Sequence, residues 1–183
     1  MRPPFIRNAH GLMLAAALLG GCAADKPVTH VPHVDVARYM GDWYVIASIP
    51  SFPERHAFNA IESYRQDSDG RIETTFRYRS GSFDAPVKTM HPVGKVRPGS
   101  GNAIWGMQFI WPIQAEYVIA YLDDSYSTVI VARSKRDYVW IMARTPSLPE
   151  ASYTAMVQRV ASLGYDVTRL RKVPQQWPEI GQP

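Results

Sequence analysis

The stretch "MGDWYVIASIP", residues 40–50, decides the fold. Gly41 and Trp43 are separated by a single residue. From Trp43 to Ser48, side chains of different polarity and size alternate. A period of two is typical of a β-strand. The largest side chain of the stretch therefore stands at the start of a strand, two residues after a glycine. We interpret Trp43 as a plug for the closed end of a barrel.

The composition is that of one globular domain. The chain has 183 residues, of which 46% are hydrophobic and 20% charged, and this argues against disorder. Its net charge is +4, but two of the arginines belong to a leader segment. No run of Lys and Arg suggests a nucleic-acid track, so we predict no nucleic-acid partner.

The N-terminus has the pattern of a lipoprotein signal peptide. Arg2 and Arg7 precede the apolar run "GLMLAAALLG", which is too short to span a bilayer. The run ends in "LGGC", so we predict a signal peptide over residues 1–21 and lipidation of Cys22. The alternative is an ordinary signal peptide with a chance cysteine. Cys22 is the only cysteine of the chain, which excludes an internal disulfide.

Residues 22–34 are predicted to form a lipidated tether. Pro27 and Pro32 disfavour regular structure, and the extended segment would reach roughly 40 Å. His30 and His33 have no cysteine or carboxylate cluster beside them. We therefore expect no metal site, and nothing in the chain calls for a cofactor.

The body of the chain alternates between strands and turns. The clearest alternation covers residues 71–79, with one charged face and one uncharged face. One of the other predicted strands starts at Gly41. The remaining six cover residues 59–66, 86–96, 102–110, 116–122, 127–133 and 137–144. Eight strands joined by short turns favour an all-β, antiparallel up-and-down barrel. A sandwich is the alternative, because spacing alone does not distinguish the two.

A single long helix follows the strands. Ser147 and Glu150 fit a capping box, Pro149 fits the first turn, and Gly164 fits the C-terminal end. The apolar face contains Tyr153, Met156, Val157, Val160 and Leu163. We expect this helix to pack outside the barrel, and the segment "DVTRL", residues 166–170, to return to the sheet.

Three segments together carry a family resemblance. "ARYMGDWYVIA", "LDDSYSTVIV" and "DYVWIMARTP" resemble the three motifs of the lipocalins, in the same order. With the signal peptide, the chain resembles the bacterial outer-membrane lipoprotein lipocalins. The likeness implies a barrel plus helix over residues 35–173, followed by a tail over 174–183. Ala23 after Cys22 also resembles outer-membrane lipoproteins, since those of the inner membrane carry Asp there.

The resemblance implies roles for several residues. Gly41, Trp43 and Arg144 become structural, with the arginine packed over the tryptophan ring. Strand direction and parity then predict a ligand-binding wall. Its residues are Val45, Ala47, Tyr64, Ile72, Thr74, Phe76, Tyr78, Tyr138, Trp140 and Met142. Phe52, Phe58 and Trp111 are expected at the mouth, and Arg77 and Arg79 on the outside. The alternative is that these side chains simply fill a core.

The resemblance further implies a function. A lipid-anchored lipocalin on the periplasmic side of the outer membrane would bind fatty acids, palmitate among them, or lysophospholipids. It would serve lipid storage or transport and envelope maintenance under stress, and a homodimer is compatible with this. The alternatives are a carrier of a porphyrin or isoprenoid, or a structural lipoprotein with a filled barrel that docks a partner protein. No Ser-His-Asp arrangement or phosphate loop suggests an enzyme.

Overall fold

The barrel is built from ten strand segments and two helices. The computed structural model describes residues 26–179. The strands are β1 Gly41–Ile49, β2 Ala57–Gln66, β3 Ile72–Ser80, β4 Val87–Met90, β5 Val93–Val96, β6 Ile104–Ile110, β7 Ile113–Leu122, β8 Thr128–Ala132, β9 Val139–Ala143 and β10 Arg171–Lys172. The helices are α1 Val36–Tyr39 and α2 Glu150–Ser162. Two 3₁₀ turns cover Phe52–Glu54 and Val167–Arg169.

The sheet closes on itself. Strands that follow one another along the chain pair antiparallel, and β1 pairs with both β2 and β9. Both β4 and β5 pair with β3, so they are two halves of one barrel strand, interrupted at His91 and Pro92. Proline has no N–H to donate to the ladder, which explains the interruption. The predicted closed eight-stranded antiparallel barrel is confirmed, and the sandwich is excluded.

Helix α2 packs outside the barrel, as predicted. Met156 and Val160 are buried against the outer surface of β1, β8 and β9. The predicted capping box is wrong, because Pro149 is the N-cap and no side chain caps the helix. The Glu150 carboxylate instead accepts from Lys172 Nζ at 3.3 Å. The segment "DVTRL" forms a 3₁₀ turn, and the return to the sheet comes after it as β10.

The segment over residues 26–34 lies on the barrel wall. It has almost no regular structure, but Val28 and Val34 are buried. Val31 N donates to Ile119 O at 3.0 Å, and Val34 N donates to Gly101 O at 2.8 Å. This part of the predicted tether therefore packs on the barrel, where its valines bury apolar surface. Residues 1–25, with the predicted signal peptide and Cys22, lie outside the described residues.

Trp43 closes one end of the barrel, as its position at the start of β1 predicts. Its side chain is fully buried, and its Nε1 donates to Tyr39 O at 2.9 Å. The Arg144 guanidinium carbon lies 3.8 Å from the centre of the Trp43 ring system. Gly41 has φ +92°, a conformation that favours glycine, and a Cβ there would lie 3.4 Å from Arg144 Nη1. The structure thus brings Gly41, Trp43 and Arg144 together at this end of the barrel.

Arg144 also satisfies the end of α1. Its Nη2 donates to the carbonyl oxygens of Arg38, Tyr39 and Met40 at 2.9–3.0 Å. Its Nη1 donates to Asp42 O at 2.8 Å. These carbonyls include the ones that a helix end leaves without a partner, and one guanidinium has enough donors to serve them together.

We expect Trp43→Ala to lower the free energy of unfolding by roughly 3–5 kcal/mol, the usual cost of deleting a large buried aromatic ring. Arg144→Ala should cost less, and the two losses should not add, because the residues share one contact. A double-mutant cycle in urea, followed by circular dichroism, measures this. Strictly additive losses would contradict the pairing of the ring and the guanidinium.

Candidate ligand cavity

The barrel encloses a cavity of about 320 Å³ that opens at the end opposite Trp43. Its wall is mostly apolar, with a few polar and charged groups. The lining residues are Ser51, Pro53, Glu54, Glu62, Thr74, Phe76, Met90, Pro92, Met107, Phe109, Ala115, Glu116, Tyr117, Arg133, Tyr138 and Trp140. They come from β2, β3, β4, β6, β7 and β9 and from the β1–β2, β4–β5 and β8–β9 connections. The volume lies within the range of small-molecule sites, roughly 300–1,000 Å³.

An aromatic layer forms the floor of the cavity. Trp105 and Tyr117 stack with their ring centres 4.8 Å apart, and Tyr39 packs edge-on against Trp105 at 5.3 Å. The Tyr117 hydroxyl lies 2.8 Å from those of Tyr39 and Tyr64. The closed end of the barrel is therefore filled by side chains, and only the part toward the mouth is open.

Most of the predicted wall residues face the barrel interior. Thr74, Phe76, Tyr138 and Trp140 line the cavity itself. Another group belongs to the inner core around and below it. This group contains Val45, Tyr64, Ile72, Tyr78 and Met142. The alternation of side chains along each strand therefore identified the inward faces of β3 and β9 correctly.

Ala47 is the exception among the predicted wall residues. It belongs to the outer core with α2, although Val45 on the same strand faces inward. The β1–β9 register shifts between Val45 and Ala47, which marks a β-bulge. One extra residue reverses the parity of everything after it, so the inward assignment of Ala47 is wrong.

The predicted mouth residues lie near the open end, but none of them lines the cavity. Phe52 and Trp111 are 76% and 83% exposed, in the β1–β2 and β6–β7 connections. Phe58 stands opposite Arg79 in the β2–β3 ladder, and its ring packs edge-on against Phe83 at 5.0 Å. Since Arg79 bonds to Glu179 outside the barrel, Phe58 faces outward as well.

Two carboxyl groups inside the barrel were not predicted. Glu62 on β2 stands opposite Trp43 and Phe76 in the two neighbouring ladders. It accepts a hydrogen bond from the Tyr64 hydroxyl. Glu54 comes from the 3₁₀ turn at the mouth and accepts from Trp140 Nε1 at 3.3 Å. The signal for Glu62 was present, because it lies two residues before the inward-facing Tyr64.

The surroundings of these carboxyl groups disfavour their charged forms. Burial, and second the nearby charge of Glu54, raise the pKa of Glu62 to about 8. Burial also raises the pKa of Glu54, although hydrogen bonds from Ser51 and Trp140 oppose this. Neither group has an ion-pair partner within residues 26–179. The cavity is thus a weakly solvated site with acidic groups that are easily protonated.

Two further charged residues line the cavity and already have partners. Glu116 accepts from Ser134 N at 2.6 Å and from Ser134 Oγ at 3.1 Å. Arg133 Nε lies 3.4 Å from Asp137 Oδ1, and its guanidinium lies over the Tyr138 ring. Glu116 is on β7 and Arg133 is in the β8–β9 connection, and both lie on the mouth side. No metal-binding cluster of His, Cys, Asp and Glu occurs among residues 26–179.

The fold and the family agree with comparisons to known proteins. A family described as "Lipocalin-like domain" matches residues 34–175. The chain belongs to the lipocalins. It is 28% identical to the outer membrane lipoprotein Blc of Vibrio cholerae serotype O1, over 90% of this chain and 97% of that one. It is 30% identical to temperature-induced lipocalin-1 of Arabidopsis thaliana, over 82% and 84% of the two chains.

Solved structures support the fold of this lipocalin. Insecticyanin from the tobacco hornworm Manduca sexta matches with a TM-score of 0.65 and 14% identity, over 83% of this chain and 86% of that one. The cockroach allergen Per a 4 matches with a TM-score of 0.63 and 19% identity, over 81% and 93%. The predicted resemblance to lipocalins, including the bacterial lipoproteins, is therefore confirmed. Among residues 26–179, neither helix is long and apolar enough to cross a membrane.

The raised pKa of Glu62 predicts how the stability of this lipocalin depends on pH. Between its ordinary value of 4.5 and about 8, the folded state binds a proton that the unfolded state releases. Stability should therefore fall as the pH rises through this window, by at most about 1.4 kcal/mol per pH unit for one proton. We expect Glu62→Gln to flatten this slope in urea unfolding at pH 5 to 8.5.

The matched control is Glu73→Gln on the exposed face of β3, where the carboxylate pairs with Arg65. It should leave the slope of stability against pH unchanged over the same range, pH 5 to 8.5. Equal slopes for wild type and Glu62→Gln would show that Glu62 is not the group that titrates on unfolding.

Proposed function

We propose that this lipocalin binds a single-chain lipid, a fatty acid or a lysophospholipid, and carries it at the outer membrane. The observation that carries the proposal is the shape and chemistry of the cavity. It is narrow, closed at one end by aromatic rings and open at the other. An acyl chain fits such a space, and a larger rigid ligand would need the filled lower half as well.

The apolar wall accounts for the affinity of an acyl chain. Phe76, Met90, Met107 and Phe109 come from three strands, β3, β4 and β6, and line the cavity. Each buried methylene contributes roughly 0.8 kcal/mol. Methionine side chains adapt easily to the shape of a flexible chain. The lipid class therefore follows from the wall, and the family relationship supports ligand binding as the role.

Location at the outer membrane is supported by the relatives and by the N-terminal sequence. Two of the matched proteins are named outer membrane lipoproteins, from Vibrio cholerae and Escherichia coli, the latter 27% identical. The "LGGC" stretch gives this chain a cysteine where such proteins carry their lipid. We propose that Cys22 is acylated after removal of residues 1–21, on the periplasmic side.

The route of the N-terminal segment suggests that the mouth faces the membrane. Residues 26–34 run along the barrel from the closed end to the β8–β9 connection, where Arg136 Nη1 donates to Lys26 O at 2.8 Å. Cys22 precedes Lys26 by four residues, a length of chain that spans at most about 14 Å. An anchor at Cys22 would hold the open end toward the lipid.

The tip of the β6–β7 hairpin at the same end is apolar and exposed. Ile110, Trp111 and Ile113 are each more than 70% exposed, and Phe109 is both exposed and part of the cavity wall. Apolar clusters of this kind mark interaction sites for membranes or proteins. A lipid leaving a bilayer at this tip would reach the cavity without crossing open water.

The cavity proposal predicts that Phe76→Asp weakens lipid binding at least tenfold. The substitution places an unpaired carboxyl group against the acyl chain, and burying such a charge is costly. Isothermal titration calorimetry with decanol, whose head group carries no charge that the new carboxylate could attract, measures the affinity. Circular dichroism at the same temperature checks that the variant is folded.

The control is Thr75→Asp, the neighbouring residue on the outward face of the same strand. It adds the same charge outside the barrel and should leave the affinity within about twofold of wild type. Equal affinities for wild type and a folded Phe76→Asp variant would mean that no lipid enters the cavity.

The anchor proposal predicts that Cys22→Ser moves the full-length protein out of the membrane fraction, because the side chain that accepts the lipid is gone. Fractionation of cells followed by immunodetection measures this, with Ser134→Cys in the Cys22→Ser background as a control for thiol position. Retention of either variant in the outer membrane would contradict a lipid anchor at Cys22.

A further inference from the structure

A purely apolar ligand offers no partner to the two carboxyl groups of the cavity. A buried carboxyl group costs free energy unless it finds hydrogen-bond donors or a positive charge. Glu62 receives one hydrogen bond, from Tyr64, and has no cation beside it among the described residues. Glu54 lines the same cavity and likewise has no ion-pair partner within residues 26–179. A hydrogen-bond donor or a positive charge on the ligand would satisfy these acceptors.

A second, independent observation comes from Thr74 on β3. The residue is only 4% exposed and lines the cavity, and its Oγ1 has no hydrogen-bond partner. Buried hydroxyl groups are normally paired, because an unpaired one costs roughly 1–3 kcal/mol. The unpaired oxygen therefore indicates a ligand group with hydrogen-bonding capacity.

The three side chains converge on the same part of the cavity. Thr74 stands opposite Tyr64 in the β2–β3 ladder, and Glu62 stands opposite Phe76, so Thr74 and Glu62 are diagonal neighbours on the inward face. Such diagonal positions are within reach of one small polar group. Glu54 lines the same cavity as Glu62 and Thr74 and is held there by the hydrogen bond from Trp140 Nε1.

We propose that Glu62, Thr74 and Glu54 form a subsite for the primary ammonium group of a single-chain amphiphile. An ammonium group offers three donors, and the two carboxyl oxygens and the Thr74 hydroxyl supply three acceptors. The carboxylate of a fatty acid would instead meet two acidic groups. The inference rests on the proposed function and selects, among single-chain lipids, those with an amine head such as lysophosphatidylethanolamine.

The other charged and titratable groups around the cavity are mostly engaged elsewhere. Glu116 is held by Ser134, and Arg133 by Asp137. The phenols that face Glu62 or Glu54 are those of Tyr39, Tyr64, Tyr78, Tyr117 and Tyr138. Burial raises the pKa of Tyr39, Tyr78 and Tyr117 above their ordinary value, so these phenols stay neutral in the range tested below.

The test compares decylamine, decanoate and decanol, which have the same chain length and differ in the head group. Affinities are measured by displacement of a fluorescent fatty-chain probe at pH 6.5, 7.5 and 8.5. We expect decylamine to bind at least tenfold more tightly than decanoate at pH 8.5, where Glu62 is mostly ionised. The decanoate affinity should fall as the pH rises, and the decanol affinity should hardly change.

Glu62→Gln keeps the size of the side chain and removes its charge. It should reduce the preference for decylamine over decanoate to less than threefold at pH 8.5 and abolish the pH dependence of decanoate binding. The control Glu73→Gln, on the outer face of β3, should behave as wild type. Thr74→Val should weaken decylamine binding about threefold while raising the thermal midpoint of the ligand-free protein, because it removes an unpaired hydroxyl.

The outcomes separate this inference from the proposed function. If decanol and decanoate bind but decylamine has no advantage, or if Glu62→Gln changes neither ligand, the ammonium subsite is refuted and lipid binding stands. If none of the three ligands displaces the probe, or the probe itself does not bind, both proposals are wrong.

Discussion

The contact between the Arg144 guanidinium and the Trp43 ring is the interaction on which the rest of the molecule depends. The ring seals the barrel, and the guanidinium above it bonds to four carbonyl oxygens between Arg38 and Asp42. Helix α1, the start of β1 and the end of β9 are thereby held together at one point. Because the strand ends are fixed where Trp43 and Arg144 close the barrel, the opposite end can remain open.

The interior is divided between stability and function. Below, stacked aromatic rings and paired hydroxyl groups fill the space, as in a protein core. Above, the wall is mostly apolar, but the Thr74 hydroxyl has no hydrogen-bond partner, and burial raises the pKa of both Glu54 and Glu62. Groups of this kind lower the stability of the empty protein, and they cluster where a ligand can satisfy them.

Much of the fold could be predicted from local sequence rules. Gly41, Trp43 and Arg144 keep their predicted roles, because a glycine with positive φ and a large ring at a strand start leave few alternatives. The alternation in β3 and β9 gave the inward faces, since both strands run without a bulge among the predicted residues. The apolar stripe of α2 predicted its packing on the outside, because a helix must bury such a face.

The errors have equally local causes. Ala47 was assigned to the wrong face because a bulge is a feature of pairing, which a single strand does not reveal. The capping box failed because Pro149 occupies the cap position itself. The packing of residues 26–34 on the barrel was not predicted, because prolines indicate an extended segment and say nothing about what it contacts. Glu62 was overlooked because a charged residue was assumed to face water, although its spacing from Tyr64 placed it inside.

The central claim is that the open half of the barrel holds a lipid. Native mass spectrometry of the protein purified from membranes in mild detergent tests it most directly. The account predicts that wild type carries one noncovalent adduct with the mass of a single-chain, amine-headed lipid, and that a folded Phe76→Asp variant carries none. A wild-type protein that is free of adducts, under conditions where a known lipid–protein complex survives, would contradict the account.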